Sequence, residues 1–255
     1  MRIATERMDA KVRIMRAIIL AGGYAKRMGQ LAVELPKSLL PIAGRPAIDY
    51  ILEKLNEVAP EKILLTTNLR FKQEFESYLA SKPPMNVEIV VEHSRSEEEK
   101  LGAVGALAEL VPKLELGDYL VICGDNIFTS SLTGMLECYR QKRKTVVAVY
   151  HQKSLEEVKL GSAVTLGSDN RVLSFEEKPK KPTTTVVGAC IYILPYESLL
   201  RTKEYLDLGG SRDEPGNFIA WLCRQEEVYA YMFPSYIWDI GTPKGYEELQ
   251  EEFRT

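Results

Sequence analysis

Positive charge gathers around one short stretch, RAIILAGGYAKRMGQLAVELPKSLLP at residues 16–41. An apolar run stops at Gly22-Gly23, and Arg16, Lys26, Arg27 and Lys37 surround a loop that no hydrophobic pattern organises. A glycine pair directly after a strand lets backbone N–H groups approach an anion closely, and a cation beside such a nest completes a phosphate cradle. The spacing fits neither G-x-x-x-x-G-K-[ST] nor G-x-G-x-x-G, because Gly22 and Gly23 lead to Tyr24, Ala25, Lys26 and Arg27 before Gly29. A plain turn stays open as the alternative for this loop alone. Pro36 restricts Leu35 to an extended conformation and fixes the chain ahead of Lys37, which makes that lysine a positioned point charge.

Three carboxylates complete the set. DYLVICGDNIF carries a buried strand into Gly124-Asp125, and YIWDIGTP does the same for Asp239 after an aromatic run. Two aspartates at strand ends suit a hard cation such as Mg²⁺, which takes a few carboxylates plus substrate phosphate oxygens; turn formation is the competing role for each. SFEEKPKKP places Glu177 and Lys178 immediately before Pro179, as an ion-handling pair or as a solvated charged turn. Both histidines, His93 and His151, lie outside these stretches, so no histidine base is expected.

The elements that must position these groups follow a βα rhythm. RAIILA, KILLTTN, VEIVVE, DYLVICGD and TVVAVYH read as strands, and AIDYILEKLNEVA, FKQEFESYLA, GAVGALAELV and SLTGMLECYRQK as the helices between them. Right-handed crossovers gather such strands into a mostly parallel sheet covered by helices on both faces, with ligands at the strands' carboxyl ends. From about residue 160 short strands, SAVTL, RVLSFEE and VVGACIYIL, alternate with turn signals and predict antiparallel additions. A helix GNFIAWLCRQ, a strand VYAYMF and a helix PKGYEELQEEF follow. The fold class expected is α/β, with one domain over residues 15–255 and a flexible extension over 1–14.

Composition narrows the function classes. A chain of 255 residues with 45% hydrophobic content can bury a substantial core. Its net charge of −3 offers no broad cationic surface for nucleic acid, so any phosphate chemistry must be local. The apolar runs fall short of the roughly 18–20 residues that cross a bilayer, and the extension lacks the apolar core of a signal peptide. Cys123, Cys138, Cys190 and Cys223 show no C-x-x-C pairing and read as reduced core thiols of a cytoplasmic protein.

LAGGYAKRM, LPKSLLPIAGRPAIDY, KLGAVGAL, VICGDNIF, FEEKP, VVGACIYIL and YIWDIGTPKGYEE resemble, in order, the successive motifs of the sugar-1-phosphate nucleotidyltransferases, the nucleotide-sugar pyrophosphorylases. The likeness spans residues 15 to 250, and GDNIF is most similar to the glucose-1-phosphate thymidylyltransferase branch. It implies a Rossmann-like mixed sheet and a set of roles. Leu20, Ala21, Gly22 and Gly23 would hold the nucleotide, Arg27 would bind the triphosphate, Lys37 would contact the reacting phosphates, and Gly102 would approach the base. Asp125 and Asp239 would hold Mg²⁺, Asp125 also touching the nucleotide, while Gly161, Glu177, Lys178 and Gly188 would cradle the sugar phosphate. Ala25, Gln30, Ala32 and Val104 depart from the family pattern without removing a charge.

The chemistry implied is transfer of a nucleotidyl group from a nucleoside triphosphate, dTTP or UTP, to a hexose 1-phosphate such as glucose 1-phosphate. A phosphate monoester's second pKa is about 6, so the acceptor is already an anionic nucleophile and needs no strong base. Two polyanions must instead be held together against their repulsion, a task for fixed cations and a divalent ion. A silent binding or regulatory protein of the same fold would be expected to lack a reacting lysine or a metal aspartate, and this chain has both. A non-sugar alcohol phosphate is a second alternative acceptor, against which Glu177 argues. The resemblance also implies homo-oligomers, and no acyltransferase-like repeat domain is expected after the final helix.

Overall fold

The computed structural model describes residues 15–26, 28–29 and 34–254; the extension at 1–14, Arg27, Gln30 and Ala32 lie outside the described residues. Apolar runs and amphipathic stretches alternate as strands and helices in the order β1 Met15–Leu20, β2 Pro41–Ile42, β3 Arg45–Pro46, α1 Ala47–Val58, β4 Ile63–Asn68, α2 Lys72–Ala80, β5 Val87–Glu92 and α3 Ala103–Leu110. Next come β6 Asp118–Cys123, β7 Asn126–Phe128, α4 Thr133–Lys142, β8 Thr145–His151, α5 Leu155–Val158, β9 Ser162–Leu166, β10 Val172–Glu177 and β11 Val186–Pro195. The chain closes with α6 Tyr196–Asp207, α7 Pro215–Leu222, β12 Val228–Met232, β13 Ile237–Asp239 and α8 Pro243–Glu252.

Strands β5, β4, β1 and β6 lie side by side and parallel. β11 then runs antiparallel to both β6 and β8, with β12 parallel beside β8 and β9 and β10 completing the edge. The architecture is the expected mixed, mostly parallel α/β sheet. One neighbour differs from the simple βα series: the ten-residue β11 inserts between β6 and β8. A register shift between Gly188 and Tyr192 bends β11, which lets it serve three partners.

β1 is buried on both faces, as a central parallel strand must be. Ala17 and Ile19 point into one core with Ile48, Ile51 and Leu55 of α1, while Ile18 and Leu20 point into the other with Leu107 of α3 and Phe218 of α7. Helix α6 has no counterpart in the sequence reading. Its buried positions are Ser198, Leu199, Thr202 and Tyr205, two of them polar, so no apolar stripe marks it.

The reading of four reduced thiols is corrected for two of them. Cys123 and Cys190 are disulfide-bonded, with Cα atoms 5.4 Å apart, one rung beyond the Ile122–Ile191 pair of β6 and β11. A cross-strand pairing over 67 residues leaves no local spacing signature. Cys138 and Cys223 are free and half-buried, and burial pushes the Cys223 thiol up to about 12.

Candidate active site

The carboxyl ends of β1, β4, β5 and β6 open on one edge of the sheet, where a cavity of about 650 Å³ lies. That is the size and place expected of a small-molecule site in an open α/β sheet. Leu20, Gly22 and Gly23 leave β1 along its wall. Asn68, the last residue of β4, shapes this turn: its Nδ2 donates to the Gly22 carbonyl at 2.9 Å while its Oδ1 accepts from the Phe71 N–H. Ala21 is buried beneath, its N–H donating to the Thr66 carbonyl at 3.0 Å, and does not reach the wall. Arg27 lies outside the described residues.

Lys37 opens a short 3₁₀ turn, and the preceding Pro36 is extended at φ −65°, ψ 150°. Its Nζ donates to Asp125 Oδ2 at 3.0 Å. Asp125 sits in the turn between β6 and β7, and the Gly124 N–H donates to the Leu20 carbonyl at 2.9 Å, so the glycine loop and the aspartate are joined by backbone. Burial pushes the Asp125 carboxyl up, but the Lys37 ammonium outweighs this and holds it below its usual range.

Asp239 arrives from far along the chain through the β7–β13 ribbon, which pairs it with Asn126, and the Ile240 N–H donates to the Asp125 carbonyl at 3.1 Å. Asp125, Asp239 and Lys37 therefore share one cavity wall. Among the described residues no group of three or more His, Cys, Asp or Glu stands together, so Asp125 and Asp239 are the paired carboxylates of this wall.

Across the cavity, Glu177 ends β10 and Ser162 Oγ donates to its carboxylate. Burial pushes the Glu177 carboxyl up, partly offset by that hydrogen bond. Lys178 is held by its N–H to the Gly161 carbonyl at 2.7 Å and at φ +48°, a left-handed conformation that turns the chain sharply before Pro179. Gly188 of β11 lies on the same side, under the Phe175 ring. All four residues expected on the sugar side thus meet here.

Sequence reasoning missed the segment Ser211–Gly216, which spans the cavity. The Arg212 carbonyl accepts from the Val104 and Gly105 N–H groups at the start of α3. Asp213 pairs with Lys100 and Glu214 with Lys178, each at 2.7 Å. Gly102 faces the same carbonyl at φ +74°, and a Cβ there would collide with it. In the sequence, SRDEPG shows only a polar turn with a proline ahead of an apolar helix.

Residues 16–255 match the nucleotidyl transferase family. The chain belongs to that family. It is 29% identical over 241 residues to the D-glycero-alpha-D-manno-heptose 1-phosphate guanylyltransferase of Aneurinibacillus thermoaerophilus, covering 94% of this chain and 99% of that protein. It is 27% identical over 253 residues to the mannose-1-phosphate guanylyltransferase of Mycobacterium tuberculosis, covering 96% of this chain and 64% of that one. The chain thus spans about two thirds of the length of several curated relatives it matches and nearly all of the heptose relative. Among solved structures, UDP-glucose pyrophosphorylase complexed with UDP-glucose superposes with a TM-score of 0.82 at 19% identity over 94% of this chain and 98% of that one. The family fold is that of the mixed sheet described above.

Proposed function

We propose that this protein transfers a nucleotidyl group from a nucleoside triphosphate to a hexose 1-phosphate, giving an NDP-sugar and pyrophosphate. The sugar phosphate oxygen attacks the α-phosphorus in line, a new P–O bond forms, the α–β bond breaks, and pyrophosphate leaves. The observation that carries this reading is the convergence of Lys37, Asp125 and Asp239 on one wall and Glu177 and Lys178 on the other side of a single cavity.

In this reading Gly22 and Gly23 offer backbone to the nucleotide, Arg27 and Lys37 neutralise the triphosphate, and Gly102 lies beneath the base. Lys178 takes the acceptor phosphate, exchanging its Glu214 partner for it, and Glu177 accepts from sugar hydroxyls. Asp125 and Asp239 would hold Mg²⁺, which supplies charge stabilisation at the phosphates. Lys37 is paired with Asp125 at 3.0 Å, a contact in which the aspartate holds the ammonium on the cavity wall. Glucose 1-phosphate is the acceptor that the sequence resemblance favours. For the donor, the likeness of GDNIF favours dTTP or UTP, whereas the two relatives are guanylyltransferases by name, which favours GTP.

Replacing Lys37 removes a fixed charge that acts on the transition state. Lys37→Ala is expected to lower kcat for pyrophosphate release by about 100-fold or more, the scale for losing one preorganised electrostatic contact. A near-normal kcat in a folded variant would overturn the role given to Lys37.

A further inference from the structure

Cys123 is the last residue of β6 and Cys190 lies within β11, and both line the cavity. We propose that the Cys123–Cys190 bridge is a redox site of the cavity wall: closed, it holds the two sides of the site in register, and a thiol reductant entering the cavity opens it and lowers turnover. The effect on turnover rests on the transferase reading above, whereas the chemistry at the sulfurs does not.

The bridge stands at a junction. Among the described residues the β6–β11 ladder ends at the Ile122–Ile191 pair, and the disulfide lies one rung further on, toward the cavity. From Cys123 the chain runs directly into Gly124 and Asp125. From Cys190 it runs back through Ala189 to Gly188, which pairs with Ser162 of β9, and Ser162 pairs in turn with Glu177 of β10. One covalent link thus joins the side that holds Asp125 to the side that holds Glu177. Asn126 reinforces it: its Oδ1 accepts from the Cys190 N–H at 3.0 Å while its Nδ2 donates to Asp125 Oδ1 at 3.3 Å. A shift of Cys190 is therefore passed to the Asp125 carboxylate.

Access sets this pair apart from the other cysteines. Cys123 and Cys190 are half-buried on a cavity that admits small molecules, whereas Cys138 and Cys223 lie outside it. Burial pushes both of those free thiols up, which keeps them protonated and poor nucleophiles. A dithiol reductant supplies the two electrons and two protons that the bridge needs. Its thiolate attacks one sulfur, the Cys123–Cys190 bond breaks, and a mixed disulfide forms as the other protein sulfur leaves and takes a proton. The reductant's second thiol then displaces the bound protein sulfur, giving two cysteine thiols and the cyclic disulfide of the reductant. A small-molecule disulfide runs the same exchanges backwards. With the bond gone the two sulfurs part to van der Waals separation, and the junction is left to hydrogen bonds such as that from Cys190 to Asn126.

The full chain, purified without reductant, should be incubated with dithiothreitol in the absence of denaturant, alkylated, and mapped by peptide mass spectrometry. Cys123 and Cys190 are expected to be alkylated only after reduction. The kcat/KM for glucose 1-phosphate, read by pyrophosphate release, is expected to fall by roughly 10-fold in the reduced protein, the scale for a small misalignment of reacting groups, and to return after treatment with oxidised glutathione. A Cys123→Ala, Cys190→Ala double variant should match the reduced rate and respond to neither reagent. Alkylation of both cysteines before reduction, a bridge that opens only in denaturant, or equal rates for the two forms of the wild type would overturn the proposal. If no triphosphate reacts with the sugar phosphate, the transferase reading fails on its own, and amide hydrogen exchange of wild-type residues 123–126 and 186–190 then decides. Faster exchange in the reduced form supports the bridge as the clamp of this junction, and unchanged exchange overturns it.

Discussion

Lys37 keeps only 15% of its side chain exposed while its ammonium meets Asp125, so its charge acts in a medium less screened than bulk water. Glu177 is the complementary case of a carboxylate partly withdrawn from water. Its folded pKa is raised above the usual 4.5, so the folded state holds the proton more tightly than the unfolded chain. Stability from that group is present below the unfolded pKa and lost as pH rises through the raised one. Glu177→Gln is therefore expected to melt higher than the wild type, with a gap that widens as pH rises from the ordinary carboxylate range toward neutrality, and to turn over more slowly. A gap that narrows over this range would contradict the burial argument. Lys37, Asp125, Asp239, Glu177 and Lys178 were legible in the sequence because each stands beside a proline or a turn at the edge of an apolar run. Glu214 and Asp213 were not, since their partners Lys178 and Lys100 lie 36 and 113 residues away.

At the scale of elements, the strands of the large sheet and most helices were readable because their apolar periodicity is local. α6 escaped because Ser198 and Thr202 occupy its buried face. The β7–β13 ribbon escaped because three-residue strands that pair across more than a hundred residues carry no periodicity, yet it is what brings Asp239 to Asp125. The Ser211–Gly216 segment does equivalent work on the other side, packing its Arg212 carbonyl on the start of α3. Gly102→Ala tests that packing. The substitution forces a side chain into φ +74° and against the Arg212 carbonyl, and should cost about 1–3 kcal/mol in chemical denaturation. An unchanged denaturation midpoint would mean that the segment does not press on α3.

For the whole molecule, two cores clamp the sheet from opposite faces, and the cavity sits where four parallel strands end between them. The parallel pairing of strands β1, β4, β5 and β6 follows from βα alternation, whereas the insertion of β11 between β6 and β8 depends on a long-range pairing that no short window encodes. The same insertion joins Cys190 to Cys123, which is why the thiol reading failed for that pair alone. It also sets Gly188 and the β9–β10 hairpin, with Glu177 at its end, on the same cavity as Lys37 and Asp125. The most direct measurement is pyrophosphate release from a panel of nucleoside triphosphates, each assayed with and without a hexose 1-phosphate and with and without Mg²⁺. Release that requires all three components together is the expected result. Release independent of the sugar phosphate, or none with any triphosphate, would contradict the proposal that this cavity joins a nucleotide to a sugar.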